Sequence, residues 1–284
     1  MGGIEMGRCK KCKVLSYLLA MGIVLATFNT GFISYAASNE YVYVLTKVQS
    51  VGTSTSLTCK FAYNADGLLK KEESNSKYSE GSTVKIVTSY TYSKGLKKTG
   101  KQVVYNQGAS PATYNIKFNY DAKKRLKKTV CNGPDNYEVT TSIEYDKKNR
   151  KTKETMVITD WAPKCVNNYK YNSKGQLIKY STNNFGEEYG IPVNDEYKYD
   201  KNGFINHIVS KSKYEGVTQV LTTKRTVSCK DGRIKKATDK VYNKDNTCTD
   251  TVKKSYTYKK IKVNKKYKKQ IEEQQAELIL SMTR

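Results

Sequence analysis

The sequence predicts an all-β protein: a long antiparallel up-and-down meander of about eight hairpin repeats, curled or flattened into a barrel-like sheet. Three observations predict it. A Tyr-x-Tyr-like triplet recurs eight times, a short turn signal follows most copies, and a second set of turns holding all four prolines falls midway between the first.

The triplets are Phe61-Ala62-Tyr63, Tyr90-Thr91-Tyr92, Phe118-Asn119-Tyr120, Ile143-Glu144-Tyr145, Tyr169-Lys170-Tyr171, Tyr197-Lys198-Tyr199, Val227-Ser228-Cys229 and Tyr256-Thr257-Tyr258. Their last members are 25 to 30 residues apart, the mark of an internal repeat. Side chains alternate along a strand, so both rings of Tyr-x-Tyr lie on one face. Asn64-Ala65-Asp66-Gly67, Asn172-Ser173-Lys174-Gly175 and Asp200-Lys201-Asn202-Gly203 then read as four-residue turns. The Asp or Asn bonds the backbone two residues on, and the closing glycine takes a left-handed conformation. Asp146-Lys147-Lys148-Asn149 places Asn at that position, which tolerates the same region.

After most turns an aliphatic residue precedes lysine, as in Leu69-Lys70, Leu96-Lys97, Leu126-Lys127 and Ile234-Lys235, and the antiparallel return brings it against the rings; the sixth copy has Ile205-Asn206-His207 instead. The fourth copy departs, with Lys151 where the aliphatic belongs. The far-end turns include Glu80-Gly81, Gln107-Gly108, Asn132-Gly133, Glu215-Gly216 and Asp245-Asn246. Pro111, Pro134, Pro163 and Pro192 lie in or beside these connections, where they remove no ladder hydrogen bond. With a leading strand from Glu40 to Val51 the total is about 16 strands, making residues 38–262 one repeat domain. Residues 263–284 form a basic, amphipathic tail. Its Ile271, Leu278 and Ile279 read as a short helix or a frayed end, with cations ahead of anions against the helix dipole.

Residues 1–37 read as a secretory signal. Arg8, Lys10, Lys11 and Lys13 precede the apolar run Val14 to Phe28, and Ser34-Tyr35-Ala36 supplies small residues for cleavage. The alternative is an uncleaved N-terminal anchor; Cys9 and Cys12 precede the run and form no lipobox. The expected location is the medium or the cell surface. Five further cysteines (Cys59, Cys131, Cys165, Cys229 and Cys248) are odd in number and irregular in spacing, so mostly free thiols are expected.

The 284 residues hold 51 Lys+Arg against 26 Asp+Glu, a net charge of +25. Removing residues 1–36 takes away four bases and one acid and leaves +22. Outside a cell such a polycation meets anionic or sugar polymers of the cell wall. No specific nucleic acid is expected as a partner, and a membrane is expected only through an uncleaved N-terminal segment. The outward face carries Lys and Thr rather than an apolar band, which argues against an outer-membrane barrel. A flattened barrel, a sandwich and a curled open sheet all remain compatible with the pattern.

Tyr197-Lys198-Tyr199-Asp200-Lys201-Asn202-Gly203-Phe204-Ile205 resembles the Tyr-Asp, or Rhs-type, repeat, whose core is Tyr-x-Tyr-Asp-x-x-Gly-x-Leu. Phe118 to Leu126 and Tyr169 to Leu177 are similar, and the resemblance extends in degraded form from about residue 57 to 262. It implies sheets that curl into spirals or shells, a secreted or surface location, and carbohydrate binding. The period here is longer than the family's, the Asp is often Asn, Ser or Lys, and no toxin domain follows.

Enzymatic chemistry finds little support, and no cofactor or metal is expected. His207 is the sole histidine, on a return strand, so any Ser-His-Asp or Cys-His site has to use it. Glu187-Glu188 and Asp195-Glu196 read as solvated acids, and no phosphate-binding loop or dinucleotide fingerprint is present. The candidate binding residues are the rings of the ladder (Tyr92, Tyr120, Tyr145, Tyr169, Tyr171, Tyr197 and Tyr199) together with Trp161 on a far-end connection. Their faces stack on sugars if open and form the core if buried. The expected function is a non-enzymatic exported protein binding anionic or carbohydrate polymer. The alternatives are a structural or protein-interaction module pairing through its sheet edges and, more remotely, a hydrolase.

Overall fold

The protein was analysed as a computed structural model that describes residues 41–159, 164–184, 191–214 and 216–283. The expected signal segment and Trp161 lie outside the described residues. The first eight strands are β1 (Tyr41–Val51), β2 (Thr55–Tyr63), β3 (Leu69–Tyr78), β4 (Thr83–Ser93), β5 (Leu96–Asn106), β6 (Ala112–Tyr120), β7 (Leu126–Asn132) and β8 (Glu138–Tyr145). The second eight are β9 (Lys151–Ile158), β10 (Cys165–Tyr171), β11 (Leu177–Thr182), β12 (Val193–Tyr199), β13 (Ile205–Tyr214), β14 (Val217–Lys230), β15 (Arg233–Tyr242) and β16 (Cys248–Lys262). A 3-10 turn, Lys265–Tyr267, leads into the helix α1 (Lys268–Thr283).

Each strand pairs antiparallel with its neighbours in the chain, and β1 also pairs with β16, from Tyr41↔Lys262 to Val51↔Lys253. That last ladder closes the meander into a barrel, which removes every free sheet edge. An open curl or a two-edged sandwich is thereby excluded.

The repeat acquires a structural meaning at the bulges. In all seven hairpins of the first turn set the register slips by one at the last residue of the triplet, pairing Tyr63 with Leu69, Tyr120 with Leu126, Tyr145 with Lys151 and Tyr199 with Ile205. The turns hold as the side-chain chemistry requires. Asp121, Asp146 and Asp200 each accept from the N–H two residues on. Asn64, Asp121, Asp146, Asn172 and Asp200 also accept from the N–H four residues on. Gly67 and Asn149 take the left-handed conformation at φ 87° and 62°.

Buried side chains alternate with exposed ones and point into the barrel. Towards the far end they form a cluster of Ile86, Val104, Tyr114, Ile116, Cys131, Val139, Met156, Ile158 and Cys165. Towards the short-turn end the volume is filled by α1. The tail is a packed helix rather than a frayed end, because burial outweighs the unfavourable order of charges along the helix. Ile271 packs with Val42, Val44, Leu68 and Val263, Leu278 with the cluster around Leu45 and Leu69, and Leu280 with Tyr169, Leu177, Tyr197 and Ile208. One 16-residue helix thus touches walls from β1 to β13.

Candidate functional site

The tyrosine ladder faces inward. Tyr90, Tyr114, Tyr169, Tyr197 and Tyr256 are buried, and Tyr63, Tyr92, Tyr120, Tyr145, Tyr171 and Tyr199 are half-buried. The second ring of the triplet has a recurring partner. Tyr92 Oη donates to Leu69 O at 2.6 Å, Tyr145 to Leu126 O at 2.8 Å and Tyr199 to Leu177 O at 2.7 Å. In each case the accepting carbonyl belongs to the bulge residue of the preceding hairpin. Tyr63 makes the equivalent bond to Leu45 O, beside the bulge in β1. The phenol therefore satisfies a carbonyl near the point where the ladder register breaks. Burial raises the Tyr63, Tyr92 and Tyr120 phenols above their ordinary range. Tyr171 stacks under Arg150 at 4.9 Å, and Tyr145 under Arg125 at 4.7 Å. Rings held this way staple one hairpin to the next, and their faces are not presented outside the barrel.

Charge within the barrel is paired. Glu72 accepts from Tyr90 Oη at 3.1 Å, and Lys97 lies 3.8 Å from the Tyr90 ring centroid. Burial raises the Glu72 carboxyl, with Lys97 and Tyr90 opposing it. Lys151, the departure from the repeat, is fully buried; its Nζ lies 3.5 Å from Glu154 Oε1 and 4.6 Å from the Tyr169 ring. Glu154 Oε2 accepts from Asn167 Nδ2 at 3.2 Å and Tyr169 Oη at 3.0 Å. Asp239 joins Arg225 at 2.8 Å and Lys254 at 3.1 Å across three strands, and these cations hold its carboxyl low against the cost of burial.

The outer face is the reverse. Lys60, Lys117, Lys170, Lys198 and Lys240 are exposed at the positions alternating with the core. Among the described residues the exposed large apolar side chains are Tyr41, Tyr43, Val51, Tyr78, Tyr105, Ile178, Ile191 and Val217. No helix among the described residues is long and apolar enough to cross a membrane.

His207 sits half-buried on β13, opposite Lys198 and Lys224 in the ladder. Partial burial and these two ammonium groups lower its pKa. Among the described residues no disulfide joins Cys59, Cys131, Cys165, Cys229 or Cys248. No cluster of metal-ligating side chains occurs among the described residues.

No family model and no curated protein matches the sequence. Among solved structures, a porin-like protein from Bacteroides uniformis is similar over 76% of this chain and 98% of its own, with a TM-score of 0.39 at 9% identity. A porin-like protein from Bacteroides vulgatus is similar over 76% of this chain and 98% of its own, with a TM-score of 0.38 at 13% identity.

Proposed function

We propose that this chain is an exported, non-enzymatic β-barrel of the cell surface or medium that holds anionic polymer on its lysine-rich exterior. The observation that carries the reading is the segregation of charge: cations inside the barrel meet carboxylates or aromatic rings, whereas those outside outnumber the acids and face solvent. The inward orientation of the tyrosines shifts recognition from ring stacking to electrostatics. Closure of the sheet removes the edges through which a strand-pairing interaction module works. The ladder places two lysines opposite His207, where a triad needs a carboxylate, which counts against the hydrolase reading. Retention on a heparin or polyphosphate matrix tests the proposal. Binding at low ionic strength that weakens steeply as the Debye length shrinks is expected, and retention indifferent to salt overturns it.

A further inference from the structure

The charge on the exterior is not spread evenly between the two ends of the barrel. Strand alternation places every short turn of the first set on one rim, and the start of β1 and the end of β16 lie on that same rim. Exposed lysines tip those turns: Lys94, Lys123, Lys124, Lys147, Lys148 and Lys201. Lys265 and Lys266, at the entry to α1, add to the same rim. Five acids lie there too: Asp121 and Asp146 are each held by their own arginine at 2.6 Å, Asp231 meets Arg233 at 3.0 Å, and Asp66 and Asp200 remain, fewer than the lysines they face. The described connections of the opposite rim carry Glu80, Asp135 and Asp245 against Lys164 and Lys244. The barrel thus has a basic pole and a weakly acidic one.

We infer that the basic pole docks end-on against a bilayer surface rich in anionic headgroups, an inference that rests on the polyanion reading above and gives it a partner and an orientation. Two further features favour a lipid surface at this pole, beside the polymer held along the walls. Sixteen strands spaced by about 4.8 Å and tilted give a rim on the order of 100 Å around. Lysines distributed around such a rim meet a plane together, whereas a single polymer chain meets only those along its path. The sequence also places the apolar run Val14 to Phe28 ahead of β1, with only residues 29–40 between them, so a retained anchor brings this pole to the membrane first. Tyr41 and Tyr43, exposed on the outer wall beside that rim, are the side chains that favour a headgroup layer.

The test is sedimentation of the full chain with vesicles of phosphatidylglycerol and phosphatidylcholine in equal parts, compared with phosphatidylcholine alone. The ratio of the two partition coefficients cancels the contribution of the apolar N-terminal run. One variant is K123Q/K147Q/K148Q/K201Q at the pole. A charge-matched control, K77Q/K101Q/K211Q/K240Q, changes exposed lysines elsewhere on the walls. A lysine near an anionic surface contributes about fivefold, so the four substitutions of the pole variant are expected to lower the ratio by roughly several hundredfold and the control by much less. All eight side chains are exposed, and matching thermal unfolding verifies that both variants fold. Equal loss in the two variants, with soluble polyphosphate still bound, overturns the end-on lipid contact and leaves the polyanion reading standing. A wild-type chain that binds neither anionic vesicles nor polyphosphate overturns both.

Discussion

Replacing Lys151 by methionine removes a buried ammonium from a bulge position that an aliphatic residue holds in most of the repeats, Lys97 opposite Tyr92 being the other exception. Lys151 is fully buried and Glu154 is 6% exposed, with 3.5 Å between Nζ and Oε1. K151M keeps the volume and leaves the Glu154 carboxylate with only Asn167 and Tyr169 as donors. Breaking a buried pair from one side costs about 3–5 kcal/mol, and the two remaining donors favour the lower figure. At about 2–4 °C per kcal/mol for a chain of this size, the melting temperature falls by roughly 10 °C. K151M/E154Q restores it to within a few degrees, because glutamine still accepts both hydrogen bonds without a charge. K153M is the control: Lys153 meets Glu144 at 3.3 Å with both side chains exposed, and losing it costs at most about 1 kcal/mol. Thermal and urea unfolding followed by circular dichroism measure all three. A K151M protein as stable as the parent refutes the argument that charge pairing holds this part of the core.

The stapling tyrosines give a second contrast. Y92F removes the donor to Leu69 O and is expected to cost about 1–2 kcal/mol in urea unfolding, whereas Y258F, whose hydroxyl is buried without a hydrogen-bond partner, is near neutral. Ile271 is fully buried at the entry of α1, and I271A is expected to cost about 2–5 kcal/mol; a smaller loss means that the helix contributes little to the barrel. Glu72 titrates above 4.5 in the folded chain, so the native state binds the extra proton and stability falls as pH rises from 4.5 towards the folded pKa. E72Q removes that slope; parallel pH profiles for the two proteins refute it. Burial pushes the Cys59 and Cys131 thiols up to about 12 and about 11, so native labelling with a thiol reagent, mapped by peptide mass, is expected at exposed Cys229 and Cys248 first.

Turn chemistry and period carried most of the architecture in the sequence, because Asp or Asn at the first turn position and a left-handed residue at the last leave a hairpin few alternatives. Three features were not legible, each for its own reason. Closure of β1 on β16 joins residues more than two hundred apart and has no local signature. The face of a strand is invisible to a period of two: in β1, Tyr41 and Tyr43 point outward while Val42 and Val44 are buried, the reverse of the other tyrosine pairs. The charge order of the tail leaves a short helix and a frayed end both open, and its glutamines are the signal that decides between them. Gln275 accepts from Leu45 N at 2.7 Å, Gln274 accepts from Leu69 N at 3.1 Å, and Gln270 donates to Gly95 O. A neutral amide can satisfy wall backbone groups inside a barrel without the desolvation cost of a lysine.

The same contacts explain why the chain needs so many tyrosines and its C-terminal helix. A barrel of sixteen strands is wider than aliphatic side chains can fill. A tyrosine reaches further into that space than leucine and brings a hydroxyl that can return to a bulge carbonyl, so one residue type fills volume and repairs the ladder. Near the short-turn rim Ile271, Leu278 and Leu280 add to the filling from the helix side. Glycine at the turns admits the helix: a Cβ on Gly67 would lie 2.5 Å from Val263, and one on Gly95 would lie against the Tyr267 ring. Turn residues chosen for their backbone conformation thus also set how closely the plug can seat. Alanine at either position is therefore expected to loosen α1 before it opens the hairpin, with faster amide exchange along the helix than along β3 or β5. The opposite order would mean that the helix is a passenger on a barrel already filled.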